Sequence, residues 1–141
     1  MRPIILISIL LAATFLFVAC GKTKVEEEKT TMETRLISYK NISPKDAKAR
    51  LEAEKGIILL DVRTPEEYAE KHIPDSLLIP VDTIEKEAPA KLADKNAIIF
   101  VYCRSGRRSV TASEALVKMG YTNIYNLGGI IDWPYETKSG K

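Results

Sequence analysis

A six-residue apolar run at residues 97–102 leads directly into a cysteine, a short polar loop and a helical pattern. The run contains no polar alternation, which is typical of a strand covered on both faces. After the loop, apolar residues recur at helical spacing, at Ala112, Ala115, Leu116 and Met119. A buried strand followed at once by a helix favours a parallel sheet with helices packed against it.

Further short apolar runs follow the same design from about residue 35 onward. They predict strands at 36–39, 57–60, 77–79, 97–102 and 123–127. Because helical patterns separate these strands, neighbouring strands are expected to run parallel. The fold class is therefore predicted as α/β, with a central, mostly parallel five-stranded sheet and helices on both faces.

Helix start signals lie between the predicted strands. Ser43 can cap a helix that begins at Pro44. Thr64 and Glu67 have the spacing of a capping box, which predicts a second helix start. A further helix is predicted over 82–93, interrupted or restarted around Pro89.

Cys103 is the candidate functional residue, because it stands where the strongest strand ends and a helix begins. Open parallel sheets bind ligands at the carboxyl ends of their strands. A loop at this position can turn its N–H groups inward, which forms an anion-binding cup and lowers the pKa of the thiol. The surrounding residues suit such a cup: Arg104, Ser105, Gly106, Arg107, Arg108 and Ser109. The alternative, an inert buried thiol, conflicts with so many polar neighbours.

Four segments of the chain resemble the signatures of the rhodanese family. They are residues 60–68, residues 72–74 with 78–80, residues 101–109, and residues 120–121 with 127–130 and Trp133. The likeness spans roughly residues 36 to 135, with the segments in the family's order. It implies one rhodanese-like domain at 35–136, followed by a flexible tail at 137–141.

The resemblance also implies a chemistry for these residues. Cys103 would be the catalytic nucleophile and hold a persulfide. Substrate binding falls to the loop residues Arg104, Ser105, Gly106, Arg107 and Arg108, with Arg107 the best candidate for gripping an anionic donor. Asp61 and Arg63 would support the site structurally. The expected reaction moves a sulfane sulfur from a small anionic donor such as thiosulfate to cyanide or a small thiol, without a metal or an organic cofactor.

The chain departs from the family pattern at three places, one of which is the junction between Leu127 and Gly128, where a residue that often separates the leucine from the glycine pair is missing. Lys71 and Asp75 stand where many members have glycine. Aspartate tolerates the left-handed conformation better than most residues, so Asp75 is expected to be accommodated. His72, the only histidine, is expected to pack and form hydrogen bonds rather than act as a general base.

Three other functions compete with sulfur transfer. Phosphatase or arsenate reductase chemistry would place an arginine six positions after the cysteine, where this chain has Ser109. A sulfane-sulfur carrier or a binding module would share the loop without turning over, and steady-state kinetics would separate a carrier from an enzyme. A redox role lacks a second cysteine to resolve a disulfide, if Cys20 carries lipid.

The N-terminus reads as an export signal. Residues 4–19 are almost wholly apolar and follow Arg2, and the run is short for a membrane span of ~20 residues. Residues 17–21 resemble a bacterial lipobox with Cys20 as the lipid acceptor. We therefore expect a lipoprotein signal peptide at 1–19 and a lipidated polar tether at 20–34, with an uncut signal anchor as the alternative.

These features predict a location in the cell envelope. The domain would face the periplasmic or extracellular side of a bacterial membrane, held there by its lipid anchor. Removing residues 1–19 removes only Arg2 among the charged residues, which leaves 20 basic and 19 acidic side chains. Such a balance gives no global field to attract nucleic acid, so no nucleic-acid partner is expected.

Overall fold

A computed structural model describes residues 38–140 of the chain. The predicted signal peptide at 1–19, the lipid acceptor Cys20, the tether at 20–34 and the first half of the strand predicted at 36–39 lie outside the described residues. Within residues 38–140, no helix is long and apolar enough to cross a membrane.

Five strands form one sheet in which every neighbouring pair is parallel. Their spatial order is β1-β5-β4-β2-β3, so the strand that ends at Cys103 lies at the centre. The strands are β1 (Lys40–Asn41), β2 (Ile58–Asp61), β3 (Leu77–Leu78), β4 (Ile98–Cys103) and β5 (Asn123–Gly129). The predicted α/β class and five-stranded parallel sheet are confirmed.

Helices cover the two faces of this sheet. They are α1 (Pro44–Ala53), α2 (Pro65–Glu70), α3 (Ile84–Lys91) and α4 (Arg107–Lys118), with 3-10 turns at Val81–Thr83 and Ile130–Asp132. Successive side chains of a strand point to opposite faces, and β4 divides its own in this way. Ile99, Val101 and Cys103 join a core with residues of α3 and α4, whereas Phe100 and Tyr102 join a core on the α1 side.

Both predicted helix starts are confirmed. The Ser43 hydroxyl accepts a hydrogen bond from the Asp46 N–H at 3.1 Å, and Pro44 is the first residue of α1. Thr64 and Glu67 form a complete capping box at the start of α2. Since such caps satisfy N–H groups that the helix itself cannot, these short segments begin where the sequence predicts.

Two predicted elements differ from the structure. The edge strand is Lys40–Asn41, and the described residues 38–39 of the predicted segment 36–39 are not part of it. Its position is defined by pairing with Tyr125 and Asn126 of β5 and not by its own apolar residues. The helix predicted to break at Pro89 is continuous from Ile84 to Lys91. Pro89 removes only the bond to the carbonyl of Glu85, an exposed position where water can replace it.

The end of the described chain also differs from the flexible tail predicted at 137–141. Lys138 exchanges two backbone hydrogen bonds with His72, both at 2.8 Å, and the Gly140 N–H donates to the Ala69 carbonyl at 2.8 Å. The His72 ring is buried and stacks on Tyr68 with ring centroids 3.9 Å apart, in agreement with its predicted packing role. Asp75 adopts φ 61°, so the left-handed turn expected there is present.

Candidate active site

Cys103 is the last residue of β4 and lies at the carboxyl edge of the sheet. The loop that follows contains only residues 104–106, because α4 begins at Arg107. Gly106, at φ 105°, lets the chain reverse in this space. The cysteine therefore faces the N-terminus of a twelve-residue helix, the end that favours negative charge.

The Cys103 sulfur is buried, with 1% of the residue exposed, and it is surrounded by hydrogen-bond donors. The Gly106 N–H points at Sγ, with nitrogen and sulfur 3.0 Å apart. Burial raises the pKa of the thiol, but hydrogen bonds from Ser109, Gly106 and Ser105 together lower it by more than burial raises it. The pKa of Cys103 is therefore below its ordinary value. The predicted cup and the predicted direction of the pKa shift agree with this geometry.

The contribution of Ser109 comes mainly from its backbone. Its hydroxyl carries one proton, which it donates to the Gly106 carbonyl at 2.8 Å. That bond braces the first turn of α4 and leaves the Ser109 N–H to serve the sulfur. Ser109 is fully buried, so this bracing is sheltered from water.

The lowered pKa of Cys103 predicts how alkylation by iodoacetamide depends on pH. Only the thiolate reacts, and a lowered pKa keeps the thiolate populated at lower pH. We expect the rate, measured by mass spectrometry of the Cys103 peptide, to rise through a midpoint below that of an ordinary cysteine. The urea-unfolded chain is the control, and its midpoint should return to the ordinary value. Equal midpoints for the folded and unfolded chains would contradict the cup.

Gly129, the second of two adjacent glycines, packs against the cysteine loop. The sequence analysis gave it no role in the site. Cys103 pairs with Gly129 across β4 and β5. A Cβ on Gly129 would lie 2.5 Å from the Arg104 carbonyl oxygen and 2.7 Å from the Ser105 Cα, so only glycine fits there. The Ile131 N–H also donates to the Arg104 carbonyl, at 3.2 Å. The adjacent glycines at the end of the last predicted strand were the available signal.

The three loop arginines have different surroundings. Arg104 and Arg107 are exposed. Arg108 instead donates from both terminal nitrogens to Glu67, at 2.7 and 2.8 Å. This pairing with Arg108 lowers the pKa of Glu67 to about 2. Arg108 therefore lies beside the loop, but its guanidinium is bound by the Glu67 carboxylate. The sequence analysis assigned Glu67 only to the capping box of a helix.

Asp61 and Arg63, the two residues predicted to support the site structurally, form a buried ion pair. Asp61 is fully buried and Arg63 is 4% exposed. The guanidinium donates to both carboxylate oxygens, at 2.6 to 3.0 Å, and to the Lys71 carbonyl at 2.6 Å. It also lies over the Tyr102 ring, 5.6 Å from the centroid.

Two cavities lie near the cysteine, one against the start of α4 and one against the loop residue Arg104, and Cys103 itself lines neither. One, of about 340 Å³, is lined by Arg107, Arg108 and Thr111 of α4, with Thr64 and Asp82 opposite. The other, of about 420 Å³, is lined by Arg104, Lys71, Glu70 and the two isoleucines Ile130 and Ile131. Arg63 lines both. A nucleophilic thiolate in a cup of N–H groups, with exposed guanidiniums nearby, can attack an anionic substrate and stabilise an anionic product on sulfur.

Comparison with known proteins places this chain among sulfurtransferases. A family model described as a rhodanese-like domain matches residues 43–135. The chain is 40% identical over 73 residues to the thiosulfate sulfurtransferase PspE of Escherichia coli, and the matched region covers 52% of this chain and 70% of the relative. It is 40% identical over 87 residues to a sulfurtransferase of Allochromatium vinosum, covering 60% of this chain and 78% of the relative.

A solved structure agrees with these relatives. The structure of a rhodanese with anions from E. coli superposes with a TM-score of 0.57 at 36% identity. The match covers 60% of this chain and 99% of that one.

Proposed function

The chain belongs to the rhodanese-like domain family and is a sulfurtransferase, and from that premise we propose that it moves sulfane sulfur through a persulfide on Cys103. The proposed donor is a small anion such as thiosulfate, the substrate that the name of its E. coli relative gives. The proposed acceptor is cyanide or a small thiol. The reaction as proposed needs no cofactor.

The proposed cycle has two displacements. In the first, the Cys103 thiolate attacks the outer sulfur of thiosulfate, the sulfur–sulfur bond of the donor breaks, and sulfite leaves with the electron pair. The enzyme now holds a persulfide whose terminal sulfur is anionic. In the second, the acceptor attacks that terminal sulfur, the persulfide bond breaks, and the Cys103 thiolate is restored. Neither step requires a proton or an electron from elsewhere.

The observation that carries this proposal is the cup around Cys103. A persulfide has its charge on the outer sulfur, and the N–H groups of the loop and of α4 surround the Cys103 Sγ atom to which that sulfur would be bonded. The E. coli neighbour is described as a rhodanese with anions, and this description supports the proposal that the present chain also acts on an anion. Exposed Arg104 and Arg107 supply positive charge for the donor.

The experiment that tests the proposal is mass spectrometry of the protein after thiosulfate treatment. We expect the Cys103 peptide to gain the mass of one sulfur atom and to lose it again on addition of cyanide. An unchanged mass would refute the persulfide. Steady-state thiocyanate production distinguishes an enzyme from a carrier, because a carrier gives one burst and then stops.

Phosphatase chemistry has less support from the same residues. The sixth position after Cys103 holds Ser109, whose hydroxyl is buried and bonded to the Gly106 carbonyl. The nearest arginine, Arg108, is paired with Glu67. A phosphoryl group would therefore lack the bidentate guanidinium contact that favours phosphate binding.

We also propose that the protein is lipid-anchored in the bacterial cell envelope. The support is sequence alone: a short apolar run at residues 4–19 and a lipobox-like segment ending at Cys20. Labelling cells with a radioactive fatty acid tests it, since wild type should incorporate label and Cys20→Ser should not. Equal labelling of the two chains would refute the anchor.

A further inference from the structure

The three arginines near Cys103 differ in whether a carboxylate binds them. Arg104 and Arg107 extend into solvent, whereas Arg108 is held by both oxygens of Glu67. These two side chains lie 41 positions apart in the chain and are each about one-quarter exposed, at 29% and 25%. A bidentate, partly buried pair of this kind is stronger than an ordinary surface ion pair.

Glu67 is itself fixed in place by the start of α2. Its Oε2 atom accepts the Thr64 N–H at 3.1 Å, and its own N–H donates to the Thr64 hydroxyl at 3.3 Å. The same carboxylate thus caps one helix and holds an arginine of another. The position of Arg108 is consequently set by α2, an element outside the cysteine loop.

The Glu67–Arg108 pair contributes one side chain to each of the two cavities near the cysteine. Glu67 lines the cavity of about 420 Å³, and Arg108 lines the cavity of about 340 Å³. Arg63 lines both. A change that separates the pair would free the Arg108 guanidinium beside the cavity of about 340 Å³.

Arg108 is the second residue of α4, the helix whose N-terminus faces Cys103, so a released guanidinium would be at the mouth of the cup. In the folded chain the Cys103 thiolate and the Asp61 carboxylate both contribute to raising the pKa of Arg108, after the larger effect of Glu67. A guanidinium fork matches the oxygens of sulfate and phosphate better than any other side chain. Without Glu67, such oxyanions would gain a strong ligand at the mouth of the cup.

We propose that Glu67 sets the affinity of the site for tetrahedral oxyanions: by holding Arg108 it keeps the cup from binding sulfate and phosphate tightly. Sulfate and phosphate resemble thiosulfate in charge and shape but carry no transferable sulfur, so tight binding of either would inhibit the enzyme. With Arg108 withheld, a donor is held by the N–H cup and the two exposed arginines. This role rests on the proposed sulfur transfer at Cys103.

Sulfate protection of Cys103 against iodoacetamide tests the proposal. The rate of alkylation is followed on the Cys103 peptide of the full chain, with sodium chloride keeping the ionic strength constant as sodium sulfate is varied. Each variant is normalised to its own rate without sulfate. The measurement reads occupancy of the cup and requires no turnover, so it can fail or succeed independently of the persulfide experiment.

Glu67→Gln is the main variant, because glutamine keeps the capping box and removes the charge. We expect half-protection at a sulfate concentration about tenfold lower than in wild type, the size of one added charge-assisted hydrogen-bond contact. Glu66→Gln is the matched control. It removes the same charge from the same helix, and among residues 38–140 Glu66 forms no ion pair. Sulfate should protect Cys103 of this variant at the same concentration as in wild type.

The double variant Glu67→Gln/Arg108→Gln identifies the group responsible. It should lose the tenfold gain, because the guanidinium is gone. Three results would overturn the proposal: no gain in folded Glu67→Gln, an equal gain in Glu66→Gln, or a gain that survives in the double variant. Circular dichroism checks folding. If Glu67→Gln does not fold, Glu67→Asp replaces it, since the shorter carboxylate cannot serve Thr64 and Arg108 together, and at least a threefold gain is then expected.

Discussion

Replacing Cys103 with serine is expected to lower the rate of sulfur transfer from thiosulfate to cyanide by at least about a thousandfold. The thiol is the nucleophile of both displacements, and a serine hydroxyl is not ionised near neutral pH. Serine also forms no persulfide analogue that could pass sulfur on. The measurement is thiocyanate production under steady-state conditions at saturating thiosulfate.

The substitution suits this test because it changes the chemistry more than the packing. The side chain is almost fully buried, and a serine oxygen can still accept the Gly106 N–H that now points at the sulfur. The melting temperature should therefore stay close to that of wild type. Wild-type chain alkylated on Cys103 is a second control and should be equally inactive. Transfer in Cys103→Ser at more than a tenth of the wild-type rate would refute the assignment of the nucleophile.

The sequence predicts most of this fold because hydrophobic periodicity and helix caps are local. The apolar runs at 57–60 and 97–102 become β2 and β4, since a strand buried on both faces needs a continuous run. The edge strand could not be located this way. Lys40 and Asn41 are exposed and polar, and they are a strand only because β5 offers its hydrogen-bonding groups beside them.

The candidate site likewise has local features that the sequence predicts and tertiary features that it does not. The cysteine, its glycine turn and the helix after it are contiguous, so their geometry follows from the order of residues. The pairing of Arg108 with Glu67 is not local, because 41 positions separate the two residues and the tertiary fold brings α2 and α4 together. The need for glycine at position 129 is also tertiary. It arises from the Arg104 and Ser105 backbone that passes over β5.

The second large effect is expected from Asp61→Asn, which should destabilise the folded chain by about 3–5 kcal/mol. Asp61 is fully buried and is the carboxylate that faces the buried Arg63 guanidinium. Asparagine has nearly the same shape but no charge, and arginine does not lose its proton in proteins. The variant therefore leaves a buried cation without its counter-ion. Urea unfolding followed by fluorescence of Trp133, the only tryptophan, measures the change.

A matched control separates burial from charge in this result. Lys48 and Glu52 form an exposed ion pair on α1, with nitrogen and oxygen 2.9 Å apart. Glu52→Gln breaks that pair and should leave the free energy of unfolding almost unchanged, because water screens the exposed charges. The double variant Asp61→Asn/Arg63→Met should recover part of the loss from Asp61→Asn, since it removes the unpaired charge along with its partner. A change below about 1 kcal/mol in Asp61→Asn would show that the buried pair does not stabilise the folded chain.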